Sequence, residues 1–126
     1  MEKIKQNKRW VILALVVLII WLVMAPPRFV LNMVKNVDLS DPVAAGEQVV
    51  AKYNCRSCHT IGGEGALIAP NLAGVTQRHD PLVLRLWLRN PREVKARTAM
   101  PNFNLSDSEI EAIIAYLESF DNASTP

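Results

Sequence analysis

The sequence is short of several features that define common classes of protein. With only two cysteines it cannot be a scaffold held by many disulfides, and with two histidines a closed zinc site would lack its second paired histidine. A second long apolar run is missing, which excludes a polytopic transporter. Internal repeats and low-complexity tracts are also missing, and 126 residues are too few for a large multidomain enzyme.

One long apolar run is present near the N-terminus, where residues 10–25 are sixteen apolar residues without a break. As a helix the run is about 24 Å long, somewhat less than the roughly 30 Å of a bilayer's hydrocarbon core. Lys8 and Arg9 can extend it by placing their charged ends at the membrane surface. We therefore predict a transmembrane anchor over residues 10–27, which leaves about 100 residues to fold in water.

Two other interpretations of the run fit less well. A cleaved signal peptide would also have a basic start and an apolar centre, and Val23-Met24-Ala25 loosely resembles a cleavage site. However, the run is slightly long for that role, and Pro26-Pro27 would make a poor substrate for the peptidase. A buried core helix is disfavoured because so small a chain could not cover it on every side. An uncleaved anchor is favoured.

The basic residues predict the orientation of the anchor. Residues 1–9 carry four basic residues against one acid, whereas only Arg28 and Lys35 follow the run closely. The positive-inside rule then makes residues 1–9 cytoplasmic and places the rest outside a bacterial inner membrane, on the oxidising periplasmic side. Residues 28–41 are predicted to be a linker, of which Phe29–Val37 runs along the membrane surface.

The outer part of the chain has the pattern of a small all-α domain over residues 42–121, followed by a tail at 122–126. Asp41 is a good N-cap for its first helix, and Ser106 with Glu109 forms a capping box for its last. Period-two alternation is not convincing anywhere. Helices are predicted over residues 42–54, 81–90 and 106–120, with one further turn around 93–96 and a glycine-rich loop at 60–79.

The sequence Cys55-Arg56-Ser57-Cys58-His59 is the Cys-x-x-Cys-His signature of covalent haem attachment. Two cysteines three residues apart can form thioethers with the two vinyl groups of a haem, and the adjacent His59 becomes an axial iron ligand. A thioredoxin-like thiol pair would need a βαβ context, which is missing, and a disulfide between Cys55 and Cys58 would close too small a loop to stabilise much. We predict one covalently bound haem c.

Met100 is the candidate for the second axial ligand of the haem iron. It is the only methionine beyond residue 41, and it precedes Pro101 in a stretch without helical periodicity. A histidine and methionine pair raises the reduction potential and blocks access of substrate to the iron. The alternatives are that Met100 simply fills the core, or that His79, at a helix entrance, is the ligand instead.

At these positions the chain resembles the class I c-type cytochromes, and the resemblance covers most of residues 42–120. It implies a helical domain wrapped around the haem, in which the carbonyl of Pro70 accepts a hydrogen bond from His59. It also implies that Gly46 and Tyr116 pack together where the first and last helices cross. Two further matches are Trp87 with Pro91, near the haem propionates, and Met100 with Pro101, in the axial-methionine loop.

A narrower resemblance is to the small membrane-anchored cytochrome c subunits of bacterial nitric oxide reductases. It is carried by residues 58–66, 69–72 and 100–106, with Val50 as a departure where an aromatic residue is expected. The resemblance implies a membrane redox complex as the partner, either a terminal reductase or oxidase or a quinol-oxidising complex. Loop residues Leu67, Ile68, Leu72 and Val75 are expected to pack on the porphyrin.

Charge is distributed unevenly along the outer domain. Residues 78–97 have a net charge of +4 and residues 101–126 a net charge of −5, which gives a dipole that could orient the domain on a redox partner. Arg85 or Arg89, on either side of Trp87, is a candidate partner for a haem propionate. Nucleic-acid binding has no support, because the overall net charge is only +2.

Three functions from different classes follow from these patterns. The favoured one is a membrane-anchored carrier of single electrons, which is not itself an enzyme and interacts with the lipid bilayer and a membrane redox complex. The alternative is a haem enzyme or ligand-binding haem protein with a labile sixth site, such as a peroxidase. The third is a thiol-redox or structural module without haem that uses Cys55 and Cys58.

Overall fold

A computed structural model describes residues 2–123, with side chains from residue 7 onward. Residues 124–126 of the predicted tail, Met1, and the side chains of Lys3 and Lys5 lie outside the described part. The fold is mostly helical, as predicted. The elements are α1 (Glu2–Met24), α2 (Arg28–Val34), α3 (Pro42–Lys52), a 3-10 turn (Cys55–Ser57), β1 (Thr60–Ile61), β2 (Glu64–Gly65), α4 (Val75–Arg78), α5 (Pro81–Arg89), α6 (Pro91–Val94) and α7 (Asp107–Ala123).

Helix α1 contains the apolar run. Over Asn7–Met24 it is long and apolar enough to cross a membrane, and it buries none of this stretch against the rest of the chain. It ends just before Pro26 and Pro27, whose rings cannot continue the helical hydrogen bonds. A membrane anchor must expose its apolar side chains to lipid, and α1 has this property.

The core of the domain is built where α3 crosses α7. Gly46 makes the close approach possible, because a Cβ atom there would overlap the carbonyl oxygen of Ala112 and lie 2.6 Å from Cβ of Tyr116. The packing of Gly46 against Tyr116 is therefore confirmed. Around the crossing the buried apolar cluster comprises Val49, Val50, Ile61, Val75, Leu84, Leu105, Ile110, Ile113, Ile114, Tyr116 and Leu117.

The predicted helix starts are confirmed. Asp41 accepts a hydrogen bond from the backbone N–H of Ala44 (3.1 Å). The capping box is reciprocal, since the Ser106 N–H donates to Glu109 Oε2 (3.0 Å) and the Glu109 N–H donates to Ser106 Oγ (3.1 Å). The last helix continues to Ala123, three residues past its predicted end, because Asp121 is buried and has partners of its own.

The stretch 60–79, predicted to be mostly loop, contains more structure than expected. A tight turn pairs β1 with β2, and the short helix α4 follows. Asp121 of α7 caps α4, accepting from the N–H of Gly74 (2.6 Å) and from the N–H of Thr76 (2.9 Å). Burial raises the pKa of Asp121, but the hydrogen bonds from Thr76 and Gly74 outweigh it and keep the pKa below its ordinary value.

The segment 28–41, predicted to be a linker, is also structured. It forms α2 and then runs along the domain, where Leu31 is buried and Val37 packs against the apolar cluster. Its first part therefore belongs to the folded domain.

Candidate haem-binding site

The attachment motif follows directly from the end of α3. Asn54 takes up a left-handed conformation (φ 53°), which ends the helix and starts the 3-10 turn at Cys55. The carbonyl of Cys55 then accepts from the N–H groups of Cys58 (3.2 Å) and His59 (3.0 Å), so all three predicted residues lie on one tight turn. Both thiols are free, with Cys58 exposed and Cys55 partly covered, and burial raises the pKa of the Cys55 thiol.

His59 is oriented by Pro70. Its Nδ1 lies 2.7 Å from the carbonyl oxygen of Pro70. A carbonyl can only accept, so Nδ1 carries the proton and donates. The other ring nitrogen, Nε2, is then the unprotonated one that can bind iron. The predicted contact between His59 and Pro70 is confirmed.

The loop after His59 folds back over the motif. The carbonyl of Arg56 accepts from Ala66 (2.9 Å) and that of Cys58 accepts from Ala69 (2.8 Å). Gly65 is required at the closest point, because its φ is +118° and a Cβ atom would overlap the carbonyl oxygen of His59. The loop is therefore bound to the attachment motif by its backbone.

The four loop residues expected on the porphyrin divide into two groups. Leu67 and Ile68 are 78% and 81% exposed, so both are free to cover an apolar ligand. Val75 is buried in the protein core and Leu72 is packed against it, so these two already have protein neighbours. Helix α5 exposes two more apolar side chains, those of Leu82 and Leu86.

Arg56, which sequence reasoning did not single out, joins the motif to α7. Its guanidinium donates to the hydroxyl of Tyr116 (2.9 Å), lies 5.7 Å from the centroid of that ring, and is 3.9 Å from the carboxylate of Glu64. The hydrogen bond to Tyr116 is the main reason that the pKa of Arg56 is raised. Because the two middle positions of Cys-x-x-Cys-His accept many residues, only the folded structure reveals this role.

Met100 lies on the loop of residues 95–106, hereafter the Met100 loop, which has no helix, as predicted for most of it. The side chain is partly buried, and its backbone N–H donates to Oγ1 of Thr98 (3.2 Å). Further along the loop, Phe103 packs on Tyr53 with ring centroids 5.4 Å apart. Since Tyr53 is two residues before Cys55, this contact joins the Met100 loop to the attachment motif.

The rival ligand His79 has a different setting. It is the exposed residue at the C-terminal end of α4, and its N–H donates to the carbonyl of Val75 (3.1 Å). This position matches the local capping or surface role considered for it from the sequence.

A buried carboxylate lies behind Tyr53. Glu109 is fully buried and accepts from Lys52 (2.8 Å) and the Tyr53 hydroxyl (3.0 Å), in addition to its capping bond with Ser106. Burial raises the pKa of Glu109, but the hydrogen bonds from Lys52, Ser106 and Tyr53 outweigh it and hold the pKa below its ordinary value. The group is therefore charged and well partnered at neutral pH.

This network predicts a specific dependence of stability on pH. A lowered folded-state pKa means that the interaction stabilises above the unfolded pKa, about 4.3, and is lost as the pH falls through the folded pKa. Glu109→Gln should cost about 1–3 kcal/mol at pH 7, with the gap to the wild type narrowing in strong acid. Urea denaturation of both proteins at pH 7 and in strong acid measures the difference in the free energy of unfolding. Glu118→Gln, at an exposed position of the same helix, should show no such gap, and a Glu109→Gln effect independent of pH would contradict the prediction.

The basic and acidic stretches meet in the folded domain. Arg85 of α5 forms a two-point pair with Glu111 (2.5 and 2.9 Å), and Arg89 donates to Asp107 (2.8 Å). Both arginines therefore already have carboxylate partners on α7, which reduces the predicted dipole. Pairing of Arg85 or Arg89 with a haem propionate stays a prediction, and it would compete with these contacts.

The donor set fits a haem c in its chemistry. Two free thiols on one turn, an imidazole with Nε2 unprotonated and a partly buried thioether are the groups that such a haem requires. In the part of the chain that the structure describes, no three His, Cys, Asp or Glu side chains come together as a metal cluster of another kind.

Comparisons with known proteins agree with this chemistry. The family model for cytochrome c matches residues 43–121. The chain is 35% identical over 95 residues to a nitric oxide reductase subunit of Halomonas halodenitrificans, a match over 68% of this chain and 63% of that protein. It is 34% identical to the corresponding protein of Paracoccus denitrificans over 64% of this chain and 59% of that one. A cytochrome c oxidase subunit 2, from Alkalihalophilus pseudofirmus, is 33% identical over 59% of this chain but only 24% of its own length. The chain thus matches about three fifths of the length of the nitric oxide reductase subunits.

Proposed function

The chain belongs to the cytochrome c family, with haem c bound covalently as its cofactor, and we propose that it is a membrane-anchored carrier of single electrons. Its partner is a terminal reductase of the nitric oxide reductase type. The similarity to the two nitric oxide reductase subunits supports this partner, and the apolar helix α1 supports the anchor. The observation that carries the proposal is the oriented His59 on the turn that holds both thiols.

In this proposal four side chains hold the cofactor. Cys55 and Cys58 would provide the two thioether bonds, and His59 and Met100 would bind the iron. The bound haem supplies a reversible one-electron couple of iron. The hydrogen bond from His59 to Pro70 keeps the imidazole in one tautomer and orientation, with Nε2 available to bind the iron. Met100 would also bind the iron, so that its thioether would keep a substrate from binding there.

The membrane arrangement of the proposal follows from α1. Residues 1–9 are on the cytoplasmic side, α1 crosses the bacterial inner membrane, and the domain of residues 42–121 is on the periplasmic side. Two arguments support this orientation. The N-terminal segment is basic, and Cys55 and Cys58 must lie on the side of the membrane where haem c is attached. Tethering keeps the domain near its partner and raises the effective concentration for electron transfer.

The role of Met100 is tested by spectra of the purified full chain. We expect a six-coordinate low-spin haem that does not react with carbon monoxide. Met100→Leu keeps the apolar volume but removes the sulfur, so the variant should bind carbon monoxide rapidly and have a lower reduction potential. Met24→Leu, at an exposed methionine of α1, is the matched control and should behave as the wild type.

Two results would contradict the proposed electron carrier and favour one of the two other functions. Rapid carbon monoxide binding and peroxide turnover by the wild type would favour a haem enzyme with a labile sixth site. An absence of covalent haem on a denaturing gel would favour the thiol module. The partner is tested separately: a tagged form of the full chain, isolated from membranes in mild detergent, should co-purify with a membrane reductase.

A further inference from the structure

We propose that residues 28–37 form a rigid strut that fixes the orientation of the haem domain on the membrane. The strut binds the domain with one face and the bilayer surface with the other, and it turns the start of α7 and the end of the Met100 loop toward the membrane. The proposal rests on the proposed function, because it takes α1 as a membrane span and residues 42–121 as the haem domain.

The first half of the strut is bound to the start of α7. Asn32 makes two hydrogen bonds with Asp107, donating to the carboxylate (2.6 Å) and accepting from the backbone N–H (2.9 Å). Arg28 donates to the carbonyl of Leu105 (2.8 Å) and also pairs with the carboxylate of Asp107. Between them Leu31 is buried, with 7% of its surface exposed. One face of α2 is thus held to the domain both by side-chain hydrogen bonds and by the burial of Leu31.

The second half is bound through its backbone as well. Ser106 Oγ donates to the carbonyl of Lys35 (2.7 Å), and the N–H of Val37 donates to Ser108 Oγ (3.0 Å). The ammonium of Lys35 reaches the carbonyl of Asn104 (2.9 Å) and the hydroxyl of Tyr53 (3.1 Å). A free tether would leave its backbone groups to water, so this segment moves with the domain.

The opposite face of α2 is apolar and uncovered. Phe29, Met33 and Val34 are 66%, 79% and 77% exposed. The two cations of the strut, Arg28 and Lys35, are both engaged on the domain side, which leaves this outer face without charge. Three large apolar side chains on one short helix are unfavourable in water.

The chain path identifies what covers the outer face. Only Pro26 and Pro27 lie between the apolar run and Arg28, and such a connection reaches at most about 10 Å. The headgroup layer on each side of the hydrocarbon core is about 6 Å thick, so the start of α2 lies within this layer or within a few ångströms of its outer edge. The bilayer interface is therefore the occupant of this face, where aromatic and apolar side chains are favourable.

The strut has a consequence for electron transfer. Because it binds residues 104–108, the Met100 loop that ends there is held on the membrane side of the domain. The domain then has one orientation and does not sample all directions on a loose tether. Such a carrier suits a fixed component of a membrane complex better than a shuttle that moves between distant partners.

Oriented membranes provide the test. The full-length protein with its haem is reconstituted into stacked bilayers of phosphatidylcholine and phosphatidylglycerol, oxidised, and examined by electron paramagnetic resonance as the stack is rotated in the field. We expect the low-spin features to change strongly with angle. Arg28→Ala combined with Asn32→Ala removes the side-chain bonds that hold the first half of the strut to residues 105 and 107, and this variant should show a weaker angle dependence. Asn36→Ala, at an exposed position of the same segment, should keep it.

The outer face is tested by Phe29→Ser combined with Met33→Ser, which should broaden the distribution of orientations while α1 remains inserted. A membrane-bound wild type with a low-spin spectrum independent of angle would overturn the strut. So would order that appears only when a partner protein is present, since protein and not lipid would then cover the outer face. A failure of the proposed function is distinguishable, because it would appear as a missing low-spin signal or as protein that does not enter the bilayers.

Discussion

Replacing Cys55 and Cys58 together by alanine is expected to leave the domain of residues 42–121 without a cooperative fold. A single core of about 80 residues rarely supplies more than about 3–5 kcal/mol of stability on its own. Here Leu67, Ile68, Leu82 and Leu86 are exposed in the chain by itself, so apolar surface that a haem would cover faces water. Without covalent attachment this contribution is lost, and Leu67 and Ile68 of the loop have no apolar surface to cover.

The measurement is near-UV circular dichroism of the full chain in detergent, followed through a thermal melt, with limited proteolysis to separate the domain from α1. Ser57→Ala is the matched control, because Ser57 lies between the two cysteines and its exposed hydroxyl makes only a local bond to the carbonyl of Asn54 (2.7 Å) and a long contact with Cys58 Sγ (3.8 Å). That control should retain haem and lose at most about 1 kcal/mol. A sharp, native-like melt of the double variant with no haem in the sample would refute the prediction.

Replacing Gly46 by leucine should unfold the domain or bring it close to unfolding. A side chain at this position meets the backbone carbonyl of Ala112 and the Cβ of Tyr116, neither of which can rotate away. Relief requires α3 and α7 to separate, which opens the core along the whole crossing. An alanine in place of an interior glycine usually favours a helix by about 1 kcal/mol, but the overlap here outweighs that gain.

We expect Gly46→Leu to cost about 3 kcal/mol or more, a large part of the marginal stability of a small domain. Chemical denaturation of the protein with its haem gives the free energy of unfolding. Ala51→Leu adds a leucine at an exposed position of the same helix and should change stability by no more than about 0.5 kcal/mol. Equal effects of the two substitutions would show that the crossing is not the cause.

The distribution of charge in the folded domain differs from the one that the sequence indicated. The basic stretch 78–97 and the acidic stretch 101–126 are visible in the sequence, and separation along the chain indicated separation in space. In the folded domain α5 packs on α7, so Arg85 meets Glu111 and Arg89 meets Asp107. Opposite charges far apart in sequence thus neutralise one another, which composition could not reveal.

Features that depend on neighbouring residues were determined by the sequence itself. The apolar run, the N-cap at Asp41, the capping box of Ser106 with Glu109 and the attachment motif all act within a few residues, so their spacing alone carries the physics. The family resemblance added the contact between His59 and Pro70, which the structure contains.

Only the tertiary structure decided the features that join distant parts of the chain. Asp121 caps a helix 45 residues earlier at Thr76, Arg56 reaches Tyr116, and Asn32 binds Asp107 across 75 residues. Each of these hydrogen bonds joins α7, or the turn beside it, to an element far away in the chain, and a polar residue shows no sign in the sequence of which remote partner it will face. The segment 28–41, predicted to be a linker, is for this reason partly joined to the domain through its partners on α7.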